Sequence, residues 1–529
     1  MMIPYDFHYD QNRDFSQILN FGASACPDRT AVICGQKRIT YAQLNRRVDR
    51  LASALWQKAE GKPLKAAIIS QNSIEYIELF FACARAGLTA VNINWRCNVR
   101  EQAYLLRHTD SQLVFCQTED PFRYQELVRS LDPGVCLIRL DTCREKEPSE
   151  YEEFLASGRE KLPLRTVEMD DIFTLYHTSG SSGIPKAVVF THQALLAKLR
   201  LMIQGEQFEK HIVFQAMTQM FHAGSLGNYM CLACLGTLVL FRHFDPEAYL
   251  ASIQKEHVTR ITVAPSTLRS LLEHLSQRPH DLSSLATINY SMAPMPLALI
   301  SRALRQLPGC RFMEIYGMTE LAGGVTVLDH EDHLSGAEGR RTSVGLPMEG
   351  MEIRIVREDR KNCAPGETGE IVLRGPGMMQ EYYQDPETTG TSLRDGWFFS
   401  NDMGYFTPDG YLHLAGRRST MIITGGENVF PKEVEDILLE HENIKEAAVF
   451  GIPDETWGER VCACVVARKP EQFDETALKA FCHSRTAGYK TPKTIYLADH
   501  LPRNSVGKVL HRLLTQRYSG QAHEPGKQP

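Results

Sequence analysis

A chain of 529 residues, 43% hydrophobic and 23% charged, has the make-up of a soluble globular protein with large cores and about three to four structural units. Its net charge of −6 offers no basic field, which excludes charge-driven binding to nucleic acid or an anionic membrane. The 14 cysteines are scattered, and the close pairs Cys231-x-x-Cys234 and Cys462-x-Cys464 lie in apolar runs without a second Cys or His pair at zinc spacing. They predict buried free thiols in a reducing, cytoplasmic setting.

At the start, Met1-Met2-Ile3-Pro4-Tyr5-Asp6 lacks a basic region followed by an apolar stretch, so no secretory signal is expected. Thr40-Tyr-Ala-Gln43 has the form of a capping box, and Leu44, Val48, Leu51, Ala52 and Leu55 then recur on one helical face. A strand from Ala66 to Ser70, a helix from Ile74 to Ala86 ended by Gly87 and a strand from Thr89 to Ile93 read as a βαβ unit. Ile212 to Phe241 contains no Asp, Glu, Lys or Arg, yet Gln215, Gln219, His222, Asn228 and its glycines suit a buried helix followed by a core strand better than a membrane span. Alternation continues through Ala251 to Leu307, arguing for parallel sheets layered with helices.

From Val344 to Phe406 short alternating strands such as Met351 to Val356 and Gly369 to Arg374 predict a β-barrel-like region. After Gly416 the pattern changes again. A helix from Pro431 to His441, strands near Ala447 to Phe450 and Val461 to Ala467, a helix from Glu475 to His483 and a last helix from Lys508 predict a small α+β domain, with a frayed polar tail after Tyr518.

The chemistry is concentrated in a few stretches. Thr178-Ser-Gly-Ser-Ser-Gly-Ile-Pro-Lys186 is a dense run of hydroxyls and glycines ending in a cation, suited to wrapping phosphate oxygens. It lacks the Gly-Lys-Ser/Thr ending of a Walker A loop, and it joins two strands, Ile172 to His177 and Ala187 to Thr191, where a Walker A loop would lead into a helix. Tyr316-Gly317-Met318-Thr319-Glu320 groups a ring for base stacking, a hydroxyl for phosphate and a carboxylate for magnesium. Asp402 offers a short acid to ribose hydroxyls, with Arg417 following across Asp409 to Gly416.

In this order the motifs resemble those of the adenylate-forming superfamily, which includes acyl-CoA and aryl-CoA synthetases, firefly luciferase and adenylation domains of peptide synthetases. The resemblance runs from about Phe15 to Arg512. It implies an α/β fold: a large N-terminal domain of layered αβαβα subdomains with the β region, residues 1–418, and a small mobile α+β lid, residues 419–529. The implied reaction is an ATP-dependent, AMP-forming acid:CoA ligation, with ATP, Mg2+ and coenzyme A as cofactors and a small carboxylic acid as substrate.

The resemblance also implies roles for residues. Thr178, Ser179, Gly180, Ser181, Ser182, Gly183 and Lys186 would hold phosphates, and Ala293, Pro294, Glu314, Ile315, Tyr316, Gly317 and Thr319 would line the nucleotide. Asp402 and Arg417 would take the ribose, and Glu320 the magnesium; Thr178, Lys186, Glu320 and Lys508 would be catalytic, with Lys508 the adenylation lysine. Phe221, His222, Gly227, Met292 and Gly317 would border the acyl pocket, Gly425, Gly426 and Glu427 would form the loop for thioester formation, and Thr420 would be the hinge.

Three positions depart from the usual pattern: Met292 where glycine or alanine is common, Ala187 after the loop lysine, and Thr420 in place of the acidic pivot. Asn92-Ile-Asn-Trp-Arg96 resembles fatty acyl ligases and tilts the expected substrate toward an aliphatic acid. An enzyme that loads a carrier protein and a catalytically silent scaffold stay open as alternatives, as does a homodimer.

Overall fold

The computed structural model describes residues 14–118, 120–140, 149–159, 166–178, 185–334, 338–503 and 509–519. Among these, two large mixed sheets form the body of the protein. One has seven strands in the order Glu381–Tyr382, Ala187–Thr191, Ile172–His177, Thr89–Ile93, Lys65–Ile69, Leu113–Cys116, Cys136–Arg139. Its last five strands run parallel and the first two pair antiparallel, as hairpin and edge. The other has nine strands, with a parallel centre that includes Val213–Ala216, Arg260–Val263, Thr287–Tyr290 and Arg311–Met318.

Helix Ile74–Ala86 shows why these layers cohere. Ser73 accepts from the Tyr76 amide at its start, and Gly87 closes it at φ 65°, a left-handed conformation that glycine adopts without strain. All its residues but Glu75 are buried, as expected of a helix enclosed on every side. The Phe80 ring lies 4.6 Å from Phe173 of the seven-stranded sheet and 4.5 Å from Tyr229 on helix Leu226–Ala233, which packs beside the nine-stranded sheet. The predicted capping box at Thr40 forms with both bonds in place, at 3.2 and 2.9 Å.

The apolar segment from Ile212 contains the expected buried helix, Leu226–Ala233, followed by a core strand, Thr237–Leu240, and adds one strand ahead of them. It opens with strand Val213–Ala216, which pairs in parallel with both Thr237–Leu240 and Arg260–Val263. Gln215, the polar residue that interrupts the apolar pattern, donates to the Tyr249 carbonyl at 3.0 Å and so can be buried. No helix among the described residues is long and apolar enough to cross a membrane.

The glycine-rich region is a five-stranded antiparallel sheet built on Glu352–Val356, Gly369–Arg374 and Trp397–Phe406, with Leu393–Arg394 and Leu412–Arg417 pairing on the last. The C-terminal unit has a second five-stranded sheet, dominated by the antiparallel pair Ile444–Asp454 and Gly458–Ala467. Helices Pro431–Glu440 and Glu475–His483 match the expected elements, while the last helix spans His511–Ser519. Cys231, Cys234, Cys462 and Cys464 are buried free thiols, and desolvation pushes the Cys462 thiol up to about 11.

Candidate active site

Thr178 directly follows the strand Ile172–His177, and its amide donates to the Lys186 carbonyl at 2.9 Å while the Lys186 amide donates to Thr178 Oγ1 at 3.3 Å. These two bonds form the neck of the phosphate-type loop. Ser179, Gly180, Ser181, Ser182 and Gly183 lie outside the described residues, as does Lys508.

Sequence reasoning did not single out the element that brackets this neck. The short edge strand Glu381–Tyr382 pairs with Ala187–Thr191, and amides on either side extend the attachment: Gln380 to the Val189 carbonyl at 2.9 Å and Tyr383 to that of Ala187 at 2.8 Å. One residue earlier the Met379 amide donates to the Glu320 carbonyl, also at 2.8 Å. The buried Tyr382 hydroxyl donates to Glu320 Oε1 at 2.8 Å, and Lys186 Nζ stands 5.1 Å from the centroid of the Tyr382 ring. Burial, then the neighbouring Glu320 charge, pushes the Tyr382 phenol well up, which keeps it a donor. One ring therefore ties the loop cation to the candidate metal carboxylate. The only hint in the sequence is the pair Tyr382-Tyr383 between a Gly-Pro-Gly stretch and Asp385-Pro386.

A second cluster joins Tyr316, Asp402 and Arg417. Asp402 and Arg417 face each other in a strand pair. Tyr316 donates its hydroxyl to Asp402 Oδ2 at 2.7 Å, and Arg417 Nε sits 2.9 Å from Oδ1. Asp402 is only 7% exposed, so these two donors hold its charge in place. Gly317 follows Tyr316 because any Cβ there would lie 2.0 Å from the Gly323 carbonyl oxygen.

Sheet topology adds the remaining expected residues. Strands Val213–Ala216, Arg260–Val263, Thr287–Tyr290 and Arg311–Met318 are adjacent and parallel, so their carboxyl ends share one edge. Phe221 and His222 follow the first, Met292, Ala293 and Pro294 follow the third, and Tyr316 to Glu320 end the fourth. Ligands of open α/β sheets bind at such edges.

Below this edge, buried Glu314 lies 3.2 Å from the Tyr290 hydroxyl, which lies 2.7 Å from His333 Nε2; His333 Nδ1 is 2.7 Å from the Asp329 carbonyl. Desolvation pushes Glu314 up to about 8 and His333 down to about 4, so both are neutral near pH 7. The donors then run one way: His333 Nδ1–H to the Asp329 carbonyl, Tyr290 O–H to His333 Nε2, and the Glu314 carboxyl to the Tyr290 oxygen. Sequence inspection singled out neither Tyr290 nor His333.

Residues 21–383 match the AMP-binding enzyme family, and residues 433–508 match the AMP-binding enzyme C-terminal domain. The chain belongs to this AMP-binding, adenylate-forming family. A feruloyl-CoA synthase of an Amycolatopsis species is 36% identical to it over 94% of this chain and 97% of the relative. The fatty acid–[acyl-carrier-protein] ligase ScoC of Streptomyces coeruleorubidus is 30% identical, covering 97% and 98%. Among solved structures, the o-succinylbenzoate CoA synthetase of Bacillus subtilis in complex with its acyl-adenylate intermediate superposes with a TM-score of 0.83 at 28% identity, over 96% of this chain and 98% of that one.

Within this AMP-binding enzyme, Met292 is 49% exposed and sits at φ 75°, a left-handed conformation that favours glycine. Phe221 is buried with its ring 4.3 Å from that of His222, and a Cβ on Gly227 would come 3.3 Å from the Phe214 ring. In the C-terminal unit, Gly425 and Gly426 both adopt left-handed conformations, at φ 60° and 84°, and a Cβ on Gly425 would press on Trp457 at 2.9 Å. Exposed Glu427 opens the strand that follows. Thr420 Oγ1 donates to the Arg417 carbonyl at 3.2 Å, and Arg418 is held by Glu358 and Glu370 at 2.8 and 3.3 Å.

Asn92 belongs to the fold. Its side chain accepts from Tyr76 at 2.6 Å and donates to Thr174 and the Leu175 carbonyl at 2.7 and 2.9 Å, so the Asn92 to Arg96 stretch is a poor guide to the substrate.

Proposed function

We propose that this AMP-binding enzyme is an acid:CoA ligase that joins a carboxylic acid to coenzyme A through an acyl-adenylate. The observation that carries the reading is the coupling of Lys186 and Glu320 through Tyr382. A carboxylate must approach a polyanion, so cations have to be fixed before the reactants meet. Lys186 and the loop hydroxyls serve the β and γ phosphates, and Lys508 the α-phosphate and the attacking carboxylate. Glu320, a hard oxygen donor with one oxygen oriented by Tyr382, suits magnesium, which neutralises phosphate charge when bound. Asp402 accepts from the ribose hydroxyls while Arg417 and Tyr316 keep its charge oriented.

In the first half-reaction an acid oxygen bonds to the α-phosphorus as pyrophosphate leaves; in the second a thiol sulfur bonds to the acyl carbon as AMP leaves. Residues 1–418 and 419–529 serve as the two domains. Rotation about Thr420 withdraws Lys508 and brings in the loop at Gly425, Gly426 and Glu427.

The acid is an aryl or arylalkyl acid. Support comes from the feruloyl and succinylbenzoate relatives, and from the commitment of Asn92 to structural bonds, which weakens the aliphatic expectation. The carrier-protein alternative keeps one specific support, the ScoC ligase. Pyrophosphate release with a panel of aryl and fatty acids, followed by thioester detection with CoA and with an acyl carrier protein, separates the readings. Turnover only with fatty acids would reject the aryl assignment, and adenylate without CoA thioester would favour the carrier protein.

A further inference from the structure

Outside these clusters the described residues hold one group of side chains arranged as metal ligands. Glu247 lies in the first turn of helix Pro246–Glu256, His274 in the last turn of Pro265–Leu275, and His280 in the connection that follows. Glu247 Oε2 is 2.8 Å from His274 Nε2 and 3.7 Å from His280 Nε2, and the three ligand atoms all lie within 4.8 Å of one another. The sequence scan missed them because it looked for paired Cys and His, whereas here two helices and a loop each supply one ligand.

His280 makes this more than a surface ion pair. Its side chain is only 9% exposed, and Nε2 is buried with no hydrogen-bond partner. At 3.7 Å the Glu247 oxygen is too distant to satisfy it as an acceptor. A buried nitrogen aimed at a carboxylate and a second imidazole has an obvious partner, a cation among all three. Ligand bonds of about 2.0–2.2 Å around a tetrahedral centre place neighbouring donors roughly 3.3 Å apart, so the observed 2.8 and 3.7 Å need small side-chain adjustments. Arg278 Nη1 lies 3.4 Å from the same Glu247 oxygen, but its side chain is 71% exposed and can withdraw into solvent.

We propose that Glu247, His274 and His280 form a binding site for a divalent cation of the zinc class, with water completing the coordination. Two imidazole nitrogens and one carboxylate oxygen select zinc-like ions over magnesium or calcium, which prefer all-oxygen shells. The ion joins the start of one helix to the end of the next, so its effect falls on the stability of this pair. None of the three residues belongs to the nucleotide or acyl groups.

The test uses full-length protein without a histidine tag, stripped with EDTA and titrated with Zn2+ against a chromogenic chelator, and separately with Co2+ read by visible absorption. Wild type should bind one tight equivalent, show a cobalt spectrum without sulfur charge-transfer bands, and melt higher with Zn2+ than with EDTA. His274→Ala and His280→Ala should each weaken binding at least about 100-fold, the upper end of what losing an outer-shell partner costs. Glu247→Gln, nearly isosteric, guards against misfolding of the alanine variants, which is checked by circular dichroism in EDTA. Equal affinity in wild type and variants, sulfur bands, or no binding tighter than that of free histidine would overturn the proposal.

Discussion

The Tyr382 hydroxyl donates to Glu320 Oε1 at 2.8 Å, linking residues 62 positions apart. Glu320 thereby sits on the same ring as the Lys186 ammonium. Removing the bond frees a carboxylate proposed above to hold magnesium. Tyr382→Phe should lower kcat about 10-fold and raise the Mg2+ concentration needed for half-maximal rate, since a bond to a charged group contributes roughly 1.5–3 kcal/mol. Pyrophosphate release across a magnesium titration reads both; an unchanged magnesium dependence would separate Tyr382 from the site.

Asp402 holds Tyr316 and Arg417 through its two oxygens. Asp402→Asn retains the shape but loses the charge. We expect KM for ATP to rise about 10-fold with a smaller change in kcat, the signature of lost ground-state binding. Initial rates over a range of ATP concentrations decide this, and a pure kcat defect would point to a role in the chemical step.

The two half-reactions should respond differently to Lys508. Lys508→Ala should slow adenylate formation about 100-fold, comparable to loss of one transition-state donor. A pre-made acyl-adenylate should still be converted to thioester at the wild-type rate. Loss of both half-reactions to the same degree would contradict a lysine that withdraws between them.

Met292 sits at φ 75° with half its surface exposed. A left-handed L-residue costs about 1–2 kcal/mol, partly offset by the greater freedom glycine has in the unfolded chain. Met292→Gly should therefore stabilise the protein by about 0.5–1 kcal/mol and shift preference toward bulkier acids. Thermal melts and a competition assay between acids test the two effects separately; an unchanged acid preference would remove Met292 from the acyl pocket.

Buried Glu314 keeps its proton up to about 8, against 4.5 for an ordinary glutamate. Between those values the folded state binds the extra proton, so stability falls as pH rises through the window. The steepest change is about 1.4 kcal/mol per pH unit. Glu314→Gln can still donate to the Tyr290 oxygen but has nothing to ionise. The melting temperature of wild type minus that of the variant should decline from about pH 5 to about pH 8 and then level off. A difference that stayed constant with pH would show Glu314 to be ionised throughout.

Local signals in the sequence survived folding wherever the determining interactions are short-range. The Thr40 capping box, the Gly87 helix end and the two strands flanking Lys186 depend on neighbours within a few residues, and each appears as read. So do the buried helix and core strand after Ile212, whereas the extra strand Val213–Ala216 carried no such signal, because four residues are held there by partners at Thr237–Leu240 and Arg260–Val263 that no local pattern displays.

The same division applies to function. Ordered motifs containing Thr178, Lys186, Tyr316, Glu320, Asp402 and Arg417 determined the family from sequence alone, because reactive groups that must meet a common ligand leave characteristic residue types at characteristic spacings. How those groups are held was decided only by the tertiary structure. An edge strand carries Tyr382 to Glu320, a strand pair sets Arg417 against Asp402, and two helices bring His274 to Glu247. Each contact joins positions distant in the chain, and its geometry depends on sheet order and helix packing, which a linear pattern of residues does not encode.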